Sequence, residues 1–336
     1  MLYLHGMGHF HPPNVLDNAF LESLDIGVDS TWIDERVGIR QRRTTLSLEY
    51  IKTTRNKTPA AAIEASTISS TQMACKAAEM ALVRSCISKD QVGLVIAGGC
   101  TPEMLIPSEA CRIAALLEMD VVAFDVNSAC TSFMVQLKII DDLKPETLPE
   151  FILVVCAEAF TRAVDYSDRK TAVLFGDGAA AAIVSTTHRS GNTLQPTALA
   201  TKPSHCDLIR VPSGGHFWQE GHAVQKFAVR QTADVLAGIR NRNAGDSHEH
   251  QLFVGHQANL RMLETICRIA SIPAPSHLSN VAWFGNCGAA GAPTVLSQNW
   301  QSIQSCVTNV VVVGAGLSWG GFQIRPIFAN ESESAS

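Results

Sequence analysis

Six short apolar, β-branched runs, at residues 92–97, 121–125, 151–156, 179–184, 252–254 and 307–313, alternate with longer stretches of helical periodicity at 70–85, 107–118, 132–143, 224–240 and 260–270. Such alternation predicts an α/β fold, whose strands read as continuous apolar runs because helices cover both faces of the sheet. A chain of 336 residues with 46% hydrophobic and 17% charged residues can bury that core, as two domains or one large double domain. The turn-forming segments TTHRSGNTLQPT and KPSH break the pattern between residues 185 and 215 and mark a join. The organisation expected is an N-terminal half at 1–188, a C-terminal half at 189–329, and a polar, acidic, disordered tail at 330–336.

Charge narrows the partners. A net charge of -5, from 26 basic against 31 acidic residues, gives no clustered basic footprint for nucleic acid. The opening MLYLHGMGHFHPPN has no basic leader followed by an apolar stretch, and no run approaches the ~20 apolar residues that span a bilayer. The expected location is cytoplasmic, with no membrane partner. Ten cysteines, at 75, 86, 100, 111, 130, 156, 206, 267, 287 and 306, include no Cys-x-x-Cys and no Cys/His cluster with zinc spacing. Neither a metal nor a disulfide framework is expected, and the ordinary role of each thiol is as a small core residue.

Three polar residues stand out by position. Cys130, in FDVNSACTSFMVQLKII, lies where an apolar strand gives way to a helix, and free N–H groups at a helix start favour the thiolate and can hold an oxyanion. His256, in LFVGHQANLRMLETI, follows a short strand, although a lone histidine is usually structural. Asn286 follows the strand-like VAWF in WFGNCGAAGAP, where small residues let backbone approach a ligand, although Asn in such a turn is usually turn chemistry. Read together, the three are polar residues at strand ends, where open α/β folds place ligands. The Gly-rich LFGDGAAAAIV at 174–184 lacks the Lys-Ser/Thr of a phosphate loop and the spacing of a dinucleotide fingerprint, so a structural turn is expected there.

Eight segments in order resemble the β-ketoacyl-acyl-carrier-protein synthase III family over almost the whole chain. They are WIDERVGIRQR at 32–42, TPEMLIPSEAC at 101–111, DVNSACTSF at 125–133, LFGDGAAAAIV at 174–184, GHAVQKFAV at 221–229, GHQANLR at 255–261, FGNCGAAGAP at 284–293 and GAGLSWGG at 314–321. The resemblance implies a thiolase-like fold of two similar βαβαβαββ halves in an α-β-α-β-α arrangement. It implies a ping-pong acyltransferase of fatty-acid or specialised lipid synthesis, in which Cys130 accepts an acyl group from coenzyme A or a carrier protein. His256 and Asn286 would support decarboxylative condensation with a malonyl or β-ketoacyl extender, and the N–H groups of Cys130 and Gly316 would form the oxyanion hole. Trp32, Arg36 and Arg162 match positions that hold coenzyme A, Phe227 and Asn259 match the pantetheine tunnel, and Arg261 and Arg268 would meet the acidic carrier protein. Their bland reading is an exposed aromatic and solvated charges. No cofactor beyond the thioester substrates is implied, and the assembly implied is a homodimer.

The sequence also departs from that family. LSLEYIKTTRNKTPAAAIEASTISS is longer than usual by roughly a dozen residues, and loops of that size are commonly functional. Ile106 replaces the large aromatic frequent in the acyl pocket, and Cys287 with Gly288 to Pro293 replaces a more usual run. These departures point to a specialised relative of the dialkylresorcinol type, which condenses two β-ketoacyl thioesters. Rival readings are a non-decarboxylating acyltransferase of the same fold and an inactive partner subunit. Retention of Asn286 weighs against the first, and of all three residues against the second. A papain-like protease lacks its Cys-Gly-Ser-Cys-Trp surround here, and a plant-type polyketide synthase lacks its Gly-Phe-Gly-Pro-Gly segment.

Overall fold

The computed structural model describes residues 1–242 and 251–327; the tail expected at 330–336 lies outside them. Nine strands form the main sheet: β1 (Leu2–Phe10), β2 (Val92–Gly98), β3 (Val122–Asp125), β4 (Phe151–Ala159), β5 (Asp177–Ser185), β6 (Asn192–Pro196), β7 (Leu252–Gly255), β8 (Thr308–Gly314) and β9 (Ser318–Pro326). Their order is β7-β8-β9-β6-β1-β5-β4-β2-β3, with a two-residue strand, Ala200–Thr201, on β9. β2 is parallel to both β3 and β4, and β7 is parallel to β8, while the remaining neighbours are antiparallel. The sheet is continuous through β6, which pairs with β1 at Leu2↔Leu194 and with β9 at Ile324↔Leu194. This is the thiolase-like α/β arrangement that the resemblance implies.

All six apolar runs are strands, and the central β1 is one that apolar patterning does not reveal. Its sequence, LYLHGMGHF, mixes histidine and glycine into the run for a steric reason. A Cβ at Gly6 or Gly8 would strike the backbone of helix Ser70–Ser85 at Ala81 or Ala77, so the glycines let that helix lie directly on the strand. The helix itself matches the expected bounds and opens on a capping box, with Ser69 Oγ accepting from Gln72 N–H at 3.0 Å and Gln72 Oε1 from Ser69 N–H at 2.9 Å.

Helix Glu109–Leu116 starts two residues later than expected, because Ser108 acts as its N-cap. Helix Gly221–Arg242 runs longer than expected at both ends, and Ser132–Asp142 and Leu260–Ile269 are each a residue shorter. The strand-like VAWF is instead a one-turn helix, Val281–Phe284. Its Trp283 and Phe284 N–H groups bond to Asn280 O at 2.9 and 3.1 Å, a local closure that four apolar residues cannot signal by periodicity.

The long segment after residue 45 is structured. It folds into two short helices, Leu48–Thr54 and Pro59–Glu64. Between them Asn56, fully buried, donates to Arg162 O at 2.8 Å and Val164 O at 2.9 Å and fastens the segment to the turn that follows β4. Among the described residues no helix is long and apolar enough to cross a membrane.

Candidate active site

The loop after β3 sets Cys130. Asp125 ends the strand by accepting the Glu109 and Ala110 N–H groups at 2.8 Å, and Val126 N–H bonds back to Ala97 O at 2.8 Å. Ala129 then adopts a left-handed φ of 48°, a costly conformation for a residue with a side chain, and Cys130 after it is half-buried. The helix follows at Ser132, with Thr131 as N-cap.

The helix start is only part of what activates the thiol. The Thr131 and Ser132 N–H groups are taken by Ser128 O and Ala129 O, each at 3.0 Å, inside the loop. The Cys130 thiol is held well below its ordinary value by the neighbouring Cys100 thiol first, and by His256, against burial. A thiolate is the reactive form.

His256 leaves the end of β7 and is buried. Its neighbour Gln257 fixes the corner: Nε2 donates to Gly255 O at 2.7 Å, and Oε1 accepts the Asn280 and Val281 N–H groups at 3.0 and 3.2 Å. One side chain thus ties the histidine corner to the short helix that leads to Asn286. His256 Nδ1 is buried without a protein hydrogen bond.

Asn286 follows a helix, not the end of a strand as expected from VAWF, and its position comes from backbone pairing across the fold. Its N–H donates to Leu174 O at 2.9 Å and its carbonyl accepts Gly176 N–H at 3.1 Å. The Gly-rich 174–184 segment is therefore the structural turn expected, and it also seats the asparagine. Gly176 has to be glycine, since a Cβ there would meet Phe284 O. The Asn286 Oδ1 accepts Gly288 N–H at 3.0 Å, which orients the carboxamide with its NH2 available to donate.

Glu158 escaped sequence reasoning. It lies fully buried at the end of β4. Its carboxylate accepts Cys100 N–H at 3.0 and 2.9 Å, the Thr101 hydroxyl at 2.9 Å and Ala289 N–H at 3.0 Å. It therefore links the Cys100 segment to the Asn286 loop, and burial pushes its carboxyl up to about 7. The available signal was a lone carboxylate in the apolar run FILVVCAEAF, where an uncompensated charge is costly.

The turn between β8 and β9 closes the other side. Gly314 packs on the backbone of Cys130 and Thr131, and Gly316 takes a φ of 126° that only glycine adopts readily. Ser318 Oγ meets Thr131 Oγ1 at 2.9 Å and Ala315 O at 3.1 Å, so this turn and the cysteine loop are bonded together.

The outer residues divide. Trp32 is half-buried on helix Ser30–Val37, and Arg36 is exposed in that helix's last turn. Arg162 is withdrawn from any ligand: it is 5% exposed, pairs with Glu103 at 2.9 Å and donates to Thr101 O at 2.8 Å. The guanidinium that lies over the Trp32 ring, 5.8 Å from its centroid, belongs to Arg169. Phe227 stands edge-on to Trp319 at 5.2 Å. Asn259 uses its Oδ1 to cap helix Leu260–Ile269 through Met262 N–H at 2.8 Å. Arg261 donates to Asp34 O at 2.8 Å and pairs with Glu264 at 3.1 Å, whereas Arg268 is exposed. Ile106 is 85% exposed beside Leu105 at 87%, so within one chain it forms surface and not the lining of a pocket at Cys130. Among the described residues no group of three or more His, Cys, Asp and Glu side chains is placed to hold a metal.

A cysteine whose thiol is held down with a buried histidine among the causes, on a thiolase-like fold that also holds an oriented carboxamide, fits an acyltransferase. Residues 124–203 match the family described as 3-oxoacyl-[acyl-carrier-protein] synthase III, and residues 241–325 match its C-terminal counterpart. The chain belongs to the β-ketoacyl-acyl-carrier-protein synthase III family. It is 33% identical over 341 residues to the enzyme of that name from Syntrophomonas wolfei, covering 95% of this chain and 96% of the relative. The counterpart from Aquifex aeolicus is 30% identical over 324 residues, covering 95% and 98%. The crystal structure of the 3-oxoacyl-[acyl-carrier-protein] synthase III from Aquifex aeolicus VF5 superposes with a TM-score of 0.84 at 30% identity, over 97% of this chain and 100% of that one.

Proposed function

We propose that the chain is a ping-pong condensing enzyme of fatty-acid or related lipid synthesis. The Cys130 thiolate attacks the carbonyl carbon of an acyl-coenzyme A or acyl-carrier thioester, the donor C–S bond breaks, and the acyl group stays on Cys130. A malonyl-carrier thioester then enters. His256 and the Asn286 NH2 hydrogen-bond its thioester carbonyl, and carbon dioxide leaves as the enolate charge moves onto that oxygen. The enolate carbon attacks the acyl-cysteine carbonyl. The backbone N–H groups of Cys130 and Gly316 hold the oxyanion until the Cys130 thiolate leaves. Thioester and cysteine chemistry suffice for each step, and these substrates suit a cytoplasmic enzyme.

The observation that carries this reading is the Cys130 thiol held well down with the buried His256 as one cause, and Asn286 held by backbone pairing with its Oδ1 already occupied. Trp32 and Arg169 present a ring and a guanidinium suited to an adenine between them, with Arg36 beside them for phosphate. Phe227 and Asn259 would line the pantetheine path and Arg268 would meet the carrier protein, while Arg261 is largely spent on Asp34 and Glu264. A second copy of the chain fits the apolar face formed by Met104, Leu105, Ile106, Val122 and Phe124 along the open edge of β3. Burial there would give Ile106 the acyl-lining environment that a single chain does not.

Intact-mass spectrometry after incubation with a panel of acyl thioesters tests the first half-reaction. No adduct, or one that persists in Cys130→Ala, sinks the mechanism. Addition of malonyl- or β-ketoacyl-carrier protein then separates chain extension, cyclising condensation of the resorcinol type and transfer without loss of carbon dioxide, by product mass.

A further inference from the structure

Two thiols meet at the reaction centre. Cys100 follows β2 and Cys130 follows β3, which are parallel neighbours paired at Ala97↔Asp125. The segments beyond them stay in contact, since a Cβ on Gly98 would strike Val126 O and approach Ser132 Cβ. Cys100 and Cys130 are consequently close enough for each to perturb the other's thiol, the Cys100 N–H donates to the Glu158 carboxylate at 3.0 and 2.9 Å, and both cysteines are half-buried. Adjacent strands lie about 5 Å apart, so the two loops leave their strands within the Cα separation that a disulfide bridges. Cys156 and Cys287 are fully buried, and burial pushes both thiols well up.

We propose that Cys100 and Cys130 form a reversible disulfide when the enzyme meets a hydroperoxide, which makes the nucleophile a modification site and Cys100 its resolving thiol. The Cys130 thiolate attacks a peroxide oxygen and the O–O bond breaks. The sulfur is oxidised to a sulfenic acid, the peroxide is reduced, and with a proton its second oxygen leaves as water or an alcohol. The Cys100 sulfur, passing its proton to Glu158, then attacks the Cys130 sulfur. The S–O bond breaks as the S–S bond forms, and the departing hydroxide takes the proton from Glu158 as water. With hydrogen peroxide, two thiols and one peroxide give one disulfide and two waters. Oxidising Cys130 also removes the neighbouring thiolate, the first cause of the raised Cys100 thiol, so the first step prepares the second. A dithiol reductant restores both thiols by exchange. The bridge shields Cys130 from the irreversible sulfinic and sulfonic states.

The experiment treats the full chain, free of reductant and acyl donor, with hydrogen peroxide, and follows intact mass and iodoacetamide labelling of Cys130. The expected result is a loss of two hydrogen masses, one cross-linked peptide pair containing Cys100 and Cys130, and labelling restored by dithiothreitol. Cys100→Ser and Cys100→Ala should instead gain two or three oxygen masses on Cys130 that dithiothreitol does not remove. Wild-type protein that gains oxygen on Cys130 without a cross-link, or that bridges Cys130 to another thiol, overturns the proposal. No acyl substrate enters the assay, so its failure is separate from failure of the condensing reaction.

Discussion

Thr131 Oγ1 and Ser318 Oγ lie 2.9 Å apart, both buried, and join the cysteine loop to the glycine turn that presents Gly316. Thr131→Val keeps the shape but removes the hydroxyl that bonds Ser318 Oγ and donates to Ser128 O, at a cost of about 1–3 kcal/mol. If Cys130 and Gly316 share an oxyanion, the variant should also lose roughly tenfold or more in kcat through misplacement of that pair, with little change in KM. Thermal denaturation and steady-state kinetics measure the two effects, and an unchanged kcat would separate the turn from the chemistry.

Asn286→Ala should divide the reaction. Acylation of Cys130 needs only the thiolate and should persist by intact mass, while condensation should fall by roughly 10²–10³-fold, the scale seen when one donor to a developing oxyanion is removed. Equal loss of both half-reactions would instead point to disrupted packing around Gly288.

Cys100→Ala bears on pH. The neighbouring Cys100 thiol is the leading cause of the depressed Cys130 thiol, so its removal raises the pH at which the thiolate forms. The midpoint of iodoacetamide alkylation against pH should move upward, and reactivity at neutral pH should fall. A midpoint that stays in place or moves down refutes the activating role.

Arg162 and Arg169 should behave as opposites. Arg169→Ala and Trp32→Ala should raise KM for acyl-coenzyme A without altering stability, and should spare substrates that lack the adenine. Arg162→Ala strips one of two guanidinium partners from Glu103, which keeps Arg112, at a cost of about 1–3 kcal/mol, and should lower the melting temperature. A pure KM effect at Arg162 would restore it to the ligand site.

The edge of β3 provides the fifth test. Val122, 65% exposed, faces outward beside Phe124. Val122→Lys should yield monomer in sedimentation or light scattering if a second copy covers that edge, whereas an unmodified protein that is already monomeric at working concentration removes the dimer.

Much of the architecture was legible because strand and helix periodicity is carried by neighbours in the chain: the runs that became β2, β4 and β8, and the helix at Ser70–Ser85, declare themselves without partners. β1 did not, since its glycines answer to a helix some seventy residues away. Cys130, His256 and Asn286 were legible from local context and family resemblance. How they are held was not: Asn286 is seated by residues 174–176, His256 is tied through Gln257 to Asn280, and Glu158 joins three segments.

Sequence by itself thus determined the α/β layering and singled out Cys130, His256 and Asn286 as the candidate site residues. Tertiary structure decided that Arg169 and not Arg162 attends Trp32, that VAWF is helical, and that Cys100 and Glu158 neighbour Cys130. The reason is physical. Apolar burial follows short-range pattern, whereas a buried thiol, carboxylate or guanidinium takes its chemistry from whichever distant donor or charge the fold brings within hydrogen-bond reach.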